Sequence, residues 1–315
     1  MFFLASALLF ASLGDFTLES GRVMRDLKIG YRTYGTLNAE KSNAILFPTW
    51  FNGKSGELEP YVEGSKAFVD TTKYFVIAID AIGNGVSMPP KDVEFPPITI
   101  ADMVRSQHEV VTKTFGIRRL HAVVGISMGA MQGFEWIARY PEMAPKLVSI
   151  VGTPHMTARD ALLWTNFLRK KPDNNPDAPD QPEEKKKGGL LGSIANVILS
   201  RTGRGGGGGL PMPQNALRQF NAMIQHNATQ HFGGSLERMA RELPTPVLVI
   251  LADKDEAVSN DMPARYAQLA GERAKRLDIP GGHNAYKTNQ EAIRNASLPF
   301  LDGVGQPVNS QSLFR

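Results

Sequence analysis

The sequence contains no cysteine, which removes disulfides, thiolate metal sites and a cysteine nucleophile from consideration while leaving the compartment open. A charge excess of one sign is also missing. Thirty-five basic residues face 31 acidic ones, and the resulting +4 is spread along the chain rather than gathered into a stripe, so no nucleic-acid partner is implied. No histidine pair shows the i, i+4 spacing with a neighbouring carboxylate that zinc enzymes use. His226 and His231 stand too far apart for that motif and read as surface or lid packing, so no metal is expected. Membrane-spanning runs are absent too: the apolar stretch over residues 2–13 is too short to cross a bilayer. It resembles the hydrophobic part of a secretory signal, although no Lys or Arg precedes it. Residues 1–15 therefore read as a signal peptide or as an N-terminal extension docked on the body. The balance falls toward export to the periplasm, with the cytoplasm as the alternative.

What is present suits one large core with an insertion: 315 residues, 42% of them hydrophobic. Strand candidates lie at residues 28–34, 44–49, 75–80, 121–125, 147–152, 247–252 and 274–279. Several are continuous apolar runs separated by helical segments, which predicts an α/β fold: a mostly parallel sheet with helices on both faces. The core is expected over residues 16–154 and 244–315. Residues 155–243 break the alternation and read as a helical cap or lid, or as an inert surface insertion. Within it, a Pro- and charge-rich stretch near 169–189 predicts a disordered loop, and five consecutive glycines at 205–209 predict a hinge. Helical pattern resumes near Asn215 and Ser235.

The most informative local feature is the run Gly125-Ile126-Ser127-Met128-Gly129, preceded by the apolar Val123-Val124 and followed by a helical apolar face at Met131, Phe134 and Ile137. Strand, sharp turn, helix is the order that exposes a nucleophilic serine above a sheet edge. The small residues at 125 and 129 are needed because side chains there would meet neighbouring backbone. The Met128 N–H then lies at a helix start, where unpaired donors and the positive dipole end can stabilise an oxyanion.

A serine nucleophile needs a base, and the base needs an orienting acid. Asp255 follows the strand candidate at 247–252 and is the chosen acid; Asp253 is its rival, with turn capping as its other reading. His283 follows the last strand candidate in a Gly-rich loop and is the chosen base. A second oxyanion donor is expected from the loop after the strand at 44–49, at the Phe51 N–H, with Trp50 as a wall of the substrate pocket.

These residues, together with Phe16 to Gly21, Tyr31 to Asn38, Ile98 to Gln107 and Gly282-His283-Asn284-Ala285-Tyr286, resemble the homoserine O-acetyltransferase group of the α/β-hydrolase superfamily. The resemblance covers about two-thirds of the chain and leaves the cap poorly matched. It implies Ser127, Asp255 and His283 as the triad, the Phe51 and Met128 amides as the oxyanion hole, and an acyl-serine intermediate. In that group the residue after the histidine is usually an aspartate that pairs with the homoserine amine; here it is Asn284. Losing that ion pair would forfeit roughly 3 kcal/mol of substrate binding. The cap also shows no counterpart of the group's substrate-binding arginine segment. The expected activity is therefore ester hydrolysis without a cofactor, on a small-molecule ester or acyl donor. Acyl transfer from acyl-CoA to an alcohol such as homoserine is the alternative, and a silent binding protein on the same fold a third. A homodimer is allowed for.

Overall fold

The computed structural model describes residues 6–89, 94–170 and 213–303. The expected glycine hinge at 205–209, and nearly all of the expected loop near 169–189, lie outside the described residues. Eight strands among them form one sheet in the order β1-β2-β4-β3-β5-β6-β7-β8. They are β1 (Leu9–Thr17), β2 (Val23–Tyr34), β3 (Ala44–Pro48), β4 (Phe75–Ile79), β5 (Ala122–Ile126), β6 (Leu147–Ile150), β7 (Val247–Ala252) and β8 (Ala274–Ile279). β1 and β2 run antiparallel to their neighbours, while β4, β3 and β5 through β8 pair in parallel.

β3 to β7 are apolar at nearly every position because both faces are covered. In β7, Val247, Val249 and Leu251 enter one core cluster, while Leu248, Ile250 and Ala252 enter the other. The first cluster receives α2 (Ile100–Glu109), α3 (Met128–Arg139) and α7 (Asp261–Ala270), through Met103, Met131, Phe134 and Tyr266. The second receives α1 (Glu59–Val62) and α8 (Gln290–Asp302), through Tyr61, Ile293 and Leu301. Fully buried aliphatic side chains among them, such as Ile293 and Leu301, each contribute about 2 kcal/mol relative to exposure. Between β6 and β7 the described residues include α4 (Ala158–Lys170), α5 (Gln214–Ile224) and α6 (Leu236–Glu242), the last two near the expected helical restarts.

Helix starts follow local chemistry. Thr99 caps α2 by accepting from the Asp102 N–H, and the Asp102 carboxylate accepts in return from the Thr99 N–H. Ser235 caps α6 in the same position.

β1 was not among the strand candidates. The residues read as part of a signal or extension include a strand, and Leu9–Thr17 pairs with β2 from Leu9↔Tyr31 to Thr17↔Val23. Its register shifts at Ser12, Gly14 and Phe16, so the two-residue alternation that marks a half-buried strand is broken. Its outward residues Leu9 and Phe10 are apolar and exposed, which gave the stretch its signal-like look. Among the described residues, no helix is long and apolar enough to cross a membrane.

Candidate active site

Because β3, β5, β7 and β8 run in parallel, their carboxyl ends share one edge of the sheet, and the loops after them bring distant residues together. Ser127 follows β5 directly. Its backbone has φ +55° and ψ −121°, a conformation that side chains rarely tolerate, and the Ser127 N–H donates to the Ile150 carbonyl at 2.8 Å. A Cβ at Gly125 would run into the Gly129 carbonyl, and one at Gly129 would lie 2.5 Å from the Pro48 carbonyl oxygen. The turn is possible only with glycine at both places.

The serine hydroxyl lies 2.9 Å from His283 Nε2. On the other side of the ring, Nδ1 lies 2.8 and 3.0 Å from the two Asp255 carboxylate oxygens. That carboxylate is 1% exposed and also accepts from the Ala257 and Val258 N–H groups, each at 2.9 Å. Asp253 is directed elsewhere: it accepts from the Gly281 N–H at 2.7 Å and so holds the turn that leads to His283. The two aspartates thus occupy different places: Asp255, the chosen acid, lies on the imidazole, and Asp253, its rival, lies in a turn.

The expected oxyanion donors, Phe51 and Met128, belong to adjoining segments. Neither N–H has a backbone acceptor among the described residues. The buried Gln132 donates from Nε2 to the Thr49 carbonyl at 3.0 Å and to the Met128 carbonyl at 3.1 Å, fixing one segment against the other. Trp50 is half-buried and meets Tyr61 edge-on and Tyr286 at a tilt, with centroids 6.0 and 6.1 Å apart. Asn284 is half-buried beside His283 in the chain.

Several neighbours carried no signal in the sequence. Trp164 on α4 lies edge-on to both the Phe51 and His283 rings, at 5.7 Å from each. Glu256 accepts from the His283 N–H at 3.0 Å. Asp80 accepts from the Ser55 N–H, the Ser55 hydroxyl and the Asn84 amide, bracing the loop after β3; burial pushes its carboxyl above the usual range despite these donors and Arg32. None of these side chains belongs to a motif, and their roles come from contacts across the fold.

The remaining histidines serve the scaffold. His108 stacks on Tyr140 at 4.2 Å, and His121 Nε2 lies 2.8 Å from the Leu301 carbonyl oxygen. His231 lies 2.9 Å from Glu135. Burial pushes the Glu135 carboxyl up, but His231, His226 and Arg139 outweigh it and hold the group below the ordinary glutamate range. Among the described residues no group of three His, Cys, Asp or Glu could hold a metal ion.

The arrangement can take a proton from a serine hydroxyl, hold the resulting imidazolium against a buried carboxylate, and offer amides to a tetrahedral oxyanion. Similarity to known proteins points the same way. A family model described as alpha/beta hydrolase fold matches residues 45–290. A probable esterase of Corynebacterium glutamicum is 40% identical over 174 residues, 53% of this chain and 50% of the relative. An ethyl acetate hydrolase of Pseudomonas veronii is 38% identical over 164 residues, 50% and 47% of the two chains. A homoserine O-acetyltransferase of Geotalea daltonii is 37% identical over 168 residues, 46% of each. The matched part thus spans about half the length of these curated relatives. Among solved structures, an acetylester hydrolase from Corynebacterium glutamicum superposes with a TM-score of 0.70 at 26% identity, covering 92% of this chain and 96% of that one.

Proposed function

The chain belongs to the alpha/beta hydrolase fold family, and from that premise we propose that it hydrolyses small carboxylic esters through an acyl-Ser127 intermediate. The observation that carries this reading is the unbroken hydrogen-bonded chain from Ser127 through His283 to Asp255. The Ser127 oxygen attacks the ester carbonyl while His283 Nε2 takes its proton, and Asp255 holds the ring in the tautomer that leaves Nε2 free to accept. The carbonyl electron pair moves onto oxygen and meets the Phe51 and Met128 N–H groups. Collapse of this intermediate breaks the bond to the alcohol, which leaves with the proton from His283. Water then attacks the acyl-serine, His283 again takes a proton, and the acid departs as Ser127 recovers its hydrogen. Each residue returns to its starting state, and the cycle calls on no cofactor.

Transfer of the acyl group to an alcohol instead of water uses the same first half. The similarity to a homoserine O-acetyltransferase supports it as the second reading. Against a homoserine acceptor stands Asn284, a neutral side chain where the resemblance places a carboxylate for the substrate amine. The deciding experiment offers the protein ethyl acetate in one arm, and acetyl-CoA with homoserine in the other, with mass spectrometry of the Ser127 peptide. Acetate release with a transient 127 adduct is the expected result. Rapid formation of O-acetylhomoserine would replace hydrolysis by transfer, and an unlabelled Ser127 in both arms would end both readings.

A further inference from the structure

Resting on the ester-hydrolase reading, we propose that Gln219 is a positioning residue: from the insertion between β6 and β7, it sets the backbone turn that carries the Phe51 oxyanion donor. The turn spans Trp50 to Gly53 and is closed by the Gly53 N–H donating to the Trp50 carbonyl at 3.0 Å. Asn52 has φ +56°, whereas Phe51 is not among the residues with positive φ. That pair of signs belongs to a type II turn, which differs from type I by a flip of the central peptide, here the one joining Phe51 to Asn52. A non-glycine residue in the left-handed region is disfavoured, so the flipped form is the natural competitor.

What holds the central peptide is Gln219. The Asn52 N–H donates to Gln219 Oε1 at 2.8 Å, and Gln219 Nε2 donates to the Ile82 carbonyl at 2.9 Å. The side chain is fully buried, so it cannot swing to water and compensate. Its helix, α5, is itself tied to the loop after β4, with Asn215 donating to the Gly83 carbonyl at 2.9 Å. The flanks of the turn are held from the core instead: Gln132 grips Thr49, and Asn84 donates to the Gly53 carbonyl at 2.8 Å. The core therefore fixes where the turn sits, while Gln219 alone among the described side chains holds its central N–H. Without that bond a flip moves the Phe51 carbonyl and the Asn52 N–H, and the Phe51 N–H, on the preceding peptide, is affected through the loosened turn that carries it rather than by the flip itself. The insertion contributes to the chemistry through this turn.

The test compares the parent chain with Gln219→Met, which keeps the side-chain length and removes the hydrogen bonds, and with Gln219→Met combined with Asn52→Gly, which makes the left-handed turn residue unstrained. For ethyl acetate the single variant should lose about tenfold to a hundredfold in kcat with KM nearly unchanged, and the added glycine should restore part of the loss. Amide hydrogen exchange at Asn52 should quicken in the single variant. This readout needs no turnover, so it separates the turn-setting role from the hydrolase reading: a parent inactive on every ester would overturn the latter alone. If Gln219→Met does not fold, Gln219→Leu serves in its place, likewise removing the acceptor for the Asn52 N–H. Unchanged exchange at Asn52, or an unchanged kcat in the folded variant, would overturn the proposal.

Discussion

Two carboxylates separated by one residue do different work. Asp255 lies on the imidazole of His283, whereas Asp253 holds the Gly281 N–H. Converting Asp255 to Asn leaves the size of the side chain but presents an amide that can stabilise the wrong imidazole tautomer. Asp255→Asn should therefore lower kcat by about 10³-fold or more with little change in KM. Asp253→Asn removes charge from a turn hydrogen bond, and should cost less than about tenfold. Steady-state kinetics on one ester decide between these roles, and equal losses would contradict the assignment. At this scale Ser127 and His283 were legible because each sits in a local pattern that chemistry demands. Gln132, Gln219 and Glu256 were not, since a polar residue on a helix or in a loop looks the same whether it faces water or braces an active-site amide.

The element that concentrates strain is the turn from β5 into α3. Ser127 adopts φ +55°, a region where glycine alone is comfortable, and the neighbouring glycines admit the close approach of Pro48 and of the helix backbone. Ser127→Ala and Ser127→Gly should both abolish ester hydrolysis. They should differ in stability, however, with the glycine variant more stable than the alanine variant by about 1 kcal/mol because it relieves the backbone strain. Urea unfolding of the two proteins measures this directly, and an alanine variant as stable as the glycine variant would remove strain from the account. The strand–turn–helix order was readable because apolar runs and helical periodicity flank the motif. β1 was not, because its register shifts break the alternation on which strand reading depends.

For the whole molecule, acid should be destabilising well before the carboxylates titrate. His226 is 3% exposed, its Nε2 has no hydrogen-bond partner among the described residues, and burial lowers its pKa to about 4. Glu135 favours its protonation, while His155 and His231 oppose it. In the unfolded chain an ordinary histidine takes up its proton near pH 6.5, whereas the folded protein refuses it until about pH 4. Stability is thus complete above the unfolded value and declines as the pH falls through this window, by something on the order of 3 kcal/mol. His108, His121 and His155 are also lowered by burial and act in the same direction. His226→Phe should flatten the decline between pH 7 and 5 in urea unfolding; an unchanged slope would place the acid sensitivity elsewhere.

The sequence by itself determined the serine turn, the choice of Asp255 as the acid, most of the sheet strands and several helix starts, since each depends on local pattern. Tertiary structure alone decided where β1 docks, how the Asp255 carboxylate is shielded, and how a glutamine from the insertion meets the loop after β3. Those outcomes depend on contacts between segments as much as 167 residues apart, and the physical reason is that such contacts leave no periodicity or spacing in the chain from which they could be read.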